Sequence, residues 1–386
     1  MKQCILPWIH LESTSQGEVK PCCLYNSTIT IHNESANLTK HSLTEIWHSD
    51  YMDDLRTEFS KGNMPSGCQS CWDTEAAGKI SKRQNSNKQY ERHLKRIKEP
   101  LQNPVYLDLK LGTVCNLKCR SCSSVSSSKW VSDEIKIMGK PYNSSNGYWI
   151  ETTDPLWNEL ENILPDIEHF DFTGGEPFLV KRHFNLLEKC VEKGYAKDIT
   201  IHYNTNGTVE PTDRMFELWD QFKSVDVMFS IDGIDKKFEY LRHPGKWEQL
   251  ESNFRKFINY PRIYTSICYS VTVFNVVYMN EFINWFLKHN LEEHRLYFNL
   301  IWNPEYLNIQ SMSNTNKEQI KNFLENTKTE SDFLNQRVLE VVNFMFDRNL
   351  QLKDTNEFSK ITKQLDTIRG ESFSETFPEL DKILKL

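Results

Sequence analysis

The sequence predicts an α/β chain built on a partial (β/α)6 TIM-like barrel. A small N-terminal cysteine-ligated module precedes it and a helical C-terminal extension follows. Three observations carry this. Between residues 105 and 301, six short β-rich runs alternate with amphipathic segments, the rhythm of βα units and a parallel sheet. Ahead of that stretch, Cys4, Cys22, Cys23, Cys68 and Cys71 crowd into the first 71 residues. After Pro304 the pattern becomes helical, with no clear strand. Six strands are too few for an eight-fold barrel, so an open or partial one is expected.

The elements follow in order. Residues 1–78 form the cysteine module. Residues 79–103 read as a basic linker, with Lys79, Lys82, Arg83, Lys88, Arg92, Lys95, Arg96 and Lys98 against few acids. A charge run of this kind is ordinarily a solvated helix; the sharper reading is a docking strip for an acidic partner or a leader peptide. Residues 104–303 hold the candidate strands at 105–111, 169–173, 199–204, 225–231, 264–273 and 296–301. Segments 184–193, 213–222, 247–258 and 279–288 have helical spacing; Leu186, Leu187, Cys190 and Val191 share one face of the first. Residues 304–386 are the helical extension, clearest at 333–346.

Composition narrows the class. A hydrophobic fraction of 38% with 26% charged residues is globular rather than disordered. No run of about 18 apolar residues exists, so no membrane-spanning helix is expected. The apolar start, 5–11, is broken by Pro7 and His10 and lacks the basic region of a secretion signal, which predicts a cytoplasmic protein. A net charge of -7 argues against a nucleic-acid partner. Ten cysteines in a reducing compartment suggest metal or redox chemistry rather than disulfides.

Spacing says more. The first candidate strand runs into Cys115-x3-Cys119-x2-Cys122. Thiolates this close can converge on one soft metal centre. A four-iron cluster normally takes four thiolates, so three leave one iron open, as a catalytic site requires. A zinc knuckle or buried free thiols would use the same residues. Later strand ends carry polar motifs in phase with the loop: Gly174, Gly175, Glu176 and Pro177; then Asn204 to Thr208; then Ser230 to Gly233, followed by Arg242. Active sites of such barrels form at the C-terminal strand ends.

The three-cysteine loop followed by GGEP, NTNG and SIDG resembles the radical S-adenosylmethionine (radical SAM) superfamily over about residues 104–302. The resemblance implies a six-fold partial barrel holding a [4Fe-4S] cluster whose open iron chelates S-adenosylmethionine (SAM). It implies reductive cleavage of SAM to a 5′-deoxyadenosyl radical, which abstracts hydrogen from a substrate. By position, Cys115, Cys119 and Cys122 would hold the catalytic cluster. Gly174, Gly175 and Glu176 would hold the methionyl amino end, Ser230 would reach the ribose and Arg242 would face the carboxylate. Asn204 is a further ribose or carboxylate candidate. In one respect the chain departs from the family: the residue before the third cysteine is often aromatic and touches adenine, whereas here it is Ser121.

Cys4, Gly17-x4-Cys22 and Cys68-x2-Cys71 supply four thiolates, enough for one closed metal site. They resemble the auxiliary-cluster half of SPASM and twitch domains, which in most relatives follows the barrel rather than precedes it. That likeness implies one auxiliary Fe–S cluster. Cys23 could replace Cys22, but the Gly17 spacing favours Cys22; a four-cysteine zinc ribbon has the same ligands. Cys190 and Cys268 read as buried small hydrophobes. Asp232 is explained as well by turn chemistry as by a base. The function expected is a radical SAM enzyme acting on a peptide or protein side chain, with a flavodoxin or ferredoxin as electron donor. A small-molecule substrate (a sugar, nucleotide or amine) and a non-catalytic zinc adaptor are the alternatives.

Overall fold

The computed structural model describes residues 2–94, 97, 101–143, 149–348, 350 and 356–385, with only the backbone at Thr152. Lys95, Arg96 and Lys98 of the basic stretch lie outside the described residues. Ten strands occur among the described residues: β1 (His10–Ser13), β2 (Val19–Lys20), β3 (Thr30–Ile31), β4 (Glu34–Ser35), β5 (Tyr106–Lys110), β6 (His169–Thr173), β7 (Thr200–Thr205), β8 (Ser224–Ser230), β9 (Ile263–Val271) and β10 (Leu296–Leu300). The chain divides into two compact units.

The first unit comprises Met1–Val114, Ser145–Asn204 and Pro211–Asp226. Its sheet runs β7-β6-β5-β1-β2, with the first residues of β8 beyond β7. β5, β6 and β7 are parallel neighbours, as the βα rhythm predicts. β1 was not expected. It pairs parallel with β5, His10 opposite Tyr106 and Glu12 opposite Asp108, and β2 folds back antiparallel on it. The apolar run at the start thus splits: Leu6–Ile9 makes one helical turn with Pro7 near its start, and His10–Ser13 enters the sheet.

Along β5, β6 and β7, apolar and polar residues alternate. Leu107, Leu109, Phe170, Phe172, Ile201 and Tyr203 fill the core on one face. The helix Lys181–Glu192 covers it, burying His183, Leu186, Leu187 and Cys190. Each such apolar side chain contributes about 1.5–3 kcal/mol by leaving water.

The basic stretch is folded into this unit. Ser81 and Gln84 form a reciprocal cap for the helix Lys82–Gln89. Arg83 is buried, pairs with Glu75 at 2.7 Å and donates to the Gln3 carbonyl at 2.5 Å. Its planar fork finds fixed acceptors, which a solvated helix would not offer.

The second unit comprises Cys115–Ser144, Thr205–Glu210 and Val227–Leu386. It holds the rest of β8 with β9 and β10, in the order β10-β9-β8. β10 and β9 are parallel, Leu296 opposite Ile267. Helices Trp247–Ile258 and Met279–Leu287 form where the spacing predicts. The C-terminal region is helical: Asn314–Asn326, Asp332–Asp347, Glu357–Arg369, Phe373–Thr376 and Pro378–Leu384. Among the described residues no helix is long and apolar enough to cross a membrane.

Candidate metal centres

The central cysteine loop opens the second unit. Cys119 is buried, Cys115 partly so, and Cys122 exposed. The Cys122 amide donates to the Cys119 carbonyl at 3.0 Å, closing a tight turn. The amides of Lys118 and Arg120 donate to the carbonyls of His243 and Leu241 at 2.7 and 2.8 Å. Trp130 Nε1 donates to the Cys119 carbonyl at 2.8 Å and Ser127 Oγ to that of Leu117 at 2.5 Å. The loop's backbone is therefore held by partners distant in sequence.

The C-terminal extension adds a clamp within the same unit. Arg120 is 2% exposed and lies 3.6 Å over the Tyr240 ring. Its guanidinium meets both Asp366 and Glu371 at 2.6 Å. Arg369 meets Asp133 at 2.9 Å, and Lys118 meets the same carboxylate at 2.7 Å. The 366–371 segment thus holds the residue between Cys119 and Ser121.

Two polar side chains approach the thiols. Asn206 Nδ2 lies 3.8 Å from Cys115 Sγ and donates to Asn116 Oδ1 at 2.9 Å; Asn116 in turn donates to Thr208 at 2.8 Å. Arg242 Nη1 lies 3.8 Å from Cys119 Sγ, and its Nη2 meets Asp232 at 2.7 Å. The Ser270 amide donates to Asp232 at 2.9 Å. A hydrogen bond from Cys122 holds the Cys119 thiol down to about 7 against burial, helped by the Arg242 charge. Ser121 lines a narrow cavity with Asp232 and Phe274.

The remaining sequence candidates fall elsewhere. Asn204 is exposed on β7, while Ser230 is partly exposed at the end of β8 in the second unit. Asn206, two residues beyond Asn204, is the one beside a thiol. Gly174, Gly175 and Glu176 stand together in the first unit against the segment after β5. A Cβ on Gly175 would lie 2.2 Å from the Val114 carbonyl oxygen, so only glycine fits. The Glu176 amide donates to that carbonyl at 2.8 Å, and its 1% exposed side chain accepts from the Phe178 amide at 3.2 Å.

The second cysteine group lies in the first unit. Cys4, Cys22, Cys68 and Cys71 line one cavity with Leu6, Leu24, Tyr25, Lys82 and Arg83. Cys23 does not line it; its thiol engages Lys82 instead. Gly67 precedes Cys68 because a Cβ there would strike the Tyr25 ring at 2.2 Å. Burial, and then the neighbouring thiols, push Cys68 up to about 12; burial and Cys23 push Cys22 up to about 11. Four thiols that repel one another as thiolates suit a soft cation. Among the described residues no three such groups close on a single ion.

Comparison with known proteins finds two family models along the chain. Residues 109–286 match the family model of the Radical SAM superfamily. Residues 4–72 match the SPASM iron–sulfur cluster-binding domain. The two matches together span more than half of the chain. The chain belongs to the radical SAM superfamily, a superfamily of enzymes, and carries a SPASM domain ahead of its radical SAM region. Membership implies a [4Fe-4S] cluster, SAM and auxiliary Fe–S binding. No curated protein matches the chain. Among solved structures, anSMEcpe with bound AdoMet is 18% identical with a TM-score of 0.41, over 65% of this chain and 64% of that one. SuiB of Streptococcus suis bound to precursor peptide SuiA is 14% identical with a TM-score of 0.39, over 80% and 67%. TYW1 with a lysine-pyruvate adduct bound is 14% identical with a TM-score of 0.33, over 57% and 74%. The chain thus spans under two thirds of the length of anSMEcpe. The family assignment rests on the two sequence models, not on these likenesses.

Proposed function

We propose that this chain is a radical SAM enzyme that acts on a peptide or protein side chain and carries one auxiliary Fe–S cluster. The observation that supports it most is the central loop: three cysteines in the family's spacing, with a cation and an amide against two of the sulfurs. Cys115, Cys119 and Cys122 would hold the catalytic cluster, and Cys4, Cys22, Cys68 and Cys71 the auxiliary one. When bound, the catalytic cluster and SAM supply a 5′-deoxyadenosyl radical for hydrogen abstraction.

The chain's own residues bind and orient. Arg242, fixed by Asp232, presents a positive charge to Cys119 and favours its thiolate. Asn206, braced by Asn116, orients Cys115. Gly174 and Gly175 let a backbone strand approach closely, and Glu176 would take the SAM ammonium. Ser230 would reach the ribose. The peptide substrate is proposed from the SPASM domain alone, and a flavodoxin or ferredoxin as the electron donor.

Anaerobic reconstitution with iron and sulfide tests the reading. The expected product is a brown protein with roughly eight irons, two four-iron clusters, that converts SAM to 5′-deoxyadenosine on reduction. A colourless zinc protein without SAM cleavage would overturn it.

A further inference from the structure

The polar face of β1, β5, β6 and β7 carries an arrangement that neither cysteine site uses. Register sets His10, Tyr106 and His169 in one row across three strands. The next row holds Glu12, Asp108, Asp171 and His202. Three carboxyl groups therefore lie opposite one another on adjacent strands. Like charges so placed destabilise a sheet unless cations offset them.

The acids differ in their partners. Asp171 is satisfied: the Tyr106 hydroxyl donates to one oxygen and His169 Nε2 meets the other at 2.7 Å. One Glu12 oxygen takes the Lys110 ammonium. Three atoms remain buried without a hydrogen bond: Asp108 Oδ1, Glu12 Oε2 and His10 Nε2. Their side chains are 7%, 3% and 0% exposed. The Pro21 carbonyl can only accept, so His10 Nδ1 donates to it at 2.9 Å. Burial keeps that ring neutral, which leaves Nε2 as an acceptor. All three orphans lie on two neighbouring strands; burial pushes the Asp108 carboxyl up to about 7, and a cation beside it would draw it back to the carboxylate. Lys110 and Lys82 act on Asp108 through charge but give Oδ1 no hydrogen bond.

A buried acceptor without a donor costs free energy, and three together call for a donor-rich occupant. The row beside them is aromatic: the Tyr106 ring lies 4.3 Å from the His10 ring and 4.4 Å from the His169 ring. An aromatic face next to carboxylates favours a cation.

We infer that His10, Glu12, Tyr106 and Asp108 form a binding site for an organic cation, a primary ammonium or guanidinium group on the substrate. The site rests on the proposal that the chain acts on a bound substrate, and it names that substrate's chemistry: a lysine- or arginine-bearing peptide, or an amine.

Calorimetry on the reconstituted holoprotein tests it. The probes are Nα-acetyl-lysine amide and Nα-acetyl-arginine amide, with uncharged Nα-acetyl-norleucine amide as control. At least one cationic probe should bind roughly tenfold or more tightly than norleucine, as one charge-assisted hydrogen bond implies. Asp108→Asn should erase that preference and Asp108→Glu should restore part of it. Should Asp108→Asn fail to fold, Glu12→Gln must weaken the preference in its place. Equal binding of all three probes, or an unchanged preference in the folded variants, overturns the site. So does saturable Mn²⁺ binding at Asp108 with no binding of the organic cations. SAM cleavage by the wild type is read separately: its loss overturns the proposed function, whereas normal cleavage without cation preference overturns only this inference.

Discussion

The two cysteine groups solve the same problem in opposite ways. In the central loop Arg242 reaches Cys119 and Asn206 reaches Cys115; a hydrogen bond from Cys122, then the Arg242 charge, lowers the Cys119 thiol, while that bond and burial push Cys122 well up. In the N-terminal cavity four thiols share one lining with Lys82 and Arg83, and burial still pushes Cys22 and Cys68 up to about 11 and 12. On the proposed assignment, the first site offers three thiols beside a fixed cation and leaves one ligand position unfilled. On the same assignment, the second offers a full set of four thiols. A site built to react is organised before loading; a closed site is organised by loading.

That contrast can be broken in graded ways. The largest effect should come from Cys115→Ala, Cys119→Ala or Cys122→Ala. Each should cut 5′-deoxyadenosine formation roughly a thousand-fold or more, because two thiolates do not hold a four-iron cluster. Iron analysis should still find the N-terminal cluster, and its loss would erase the distinction between the sites. Cys4→Ala, Cys22→Ala, Cys68→Ala and Cys71→Ala should do the reverse. They should remove the N-terminal iron and destabilise the first unit by several kcal/mol, about 3 or more, since binding there is folding energy. Cys23→Ala should leave the iron count unchanged; if it lowers the count, Cys22 is the wrong ligand.

Arg242→Gln comes next. It leaves Asp232 buried and unpaired, at a cost of about 3–5 kcal/mol measured by denaturation. Adding Asp232→Asn should recover part of that stability but not the SAM cleavage. Gly175→Ala should cost about 1–3 kcal/mol, the range of a steric intrusion into a packed site. Its Cβ would meet the Val114 carbonyl, just before the cysteine loop begins.

The smallest effect concerns pH. Burial lowers the His183 imidazole to about 3, against an unfolded value near 6.5. The unfolded chain then binds the extra proton, so stability is lost as pH falls below 6.5. Between pH 7.5 and 5 the loss from this group is about 2 kcal/mol. His183→Gln, which does not titrate, should flatten the stability profile by that amount.

The six strands β5 to β10 were legible because each is a compact β-rich run closed by turn residues. The cysteine spacings were legible because ligands of a loop-bound cluster must be near in sequence. β1 was not legible: HLES is half polar, and its partner Tyr106–Lys110 lies far along the chain. Arg242 was found by its motif, but Asp232, which fixes it, looked like an ordinary turn residue. Asn206 was passed over for Asn204 because spacing along a strand end does not say which amide turns toward sulfur. The alternation in YLDLK and HFDFT was visible, yet only strand register reveals that Glu12, Asp108 and Asp171 share one row.

The parallel pairing of β1 with β5 bears on how the protein can be cut. The N-terminal cysteine segment donates a strand to the sheet rather than merely hanging from it. Removing residues 1–78 would expose the backbone donors and acceptors of β5 along a bare edge, a template for other chains. In the intact sheet that flank ends in β2, only two residues long, which offers little to pair with. A truncated radical SAM region should therefore aggregate even where every one of its catalytic residues is present.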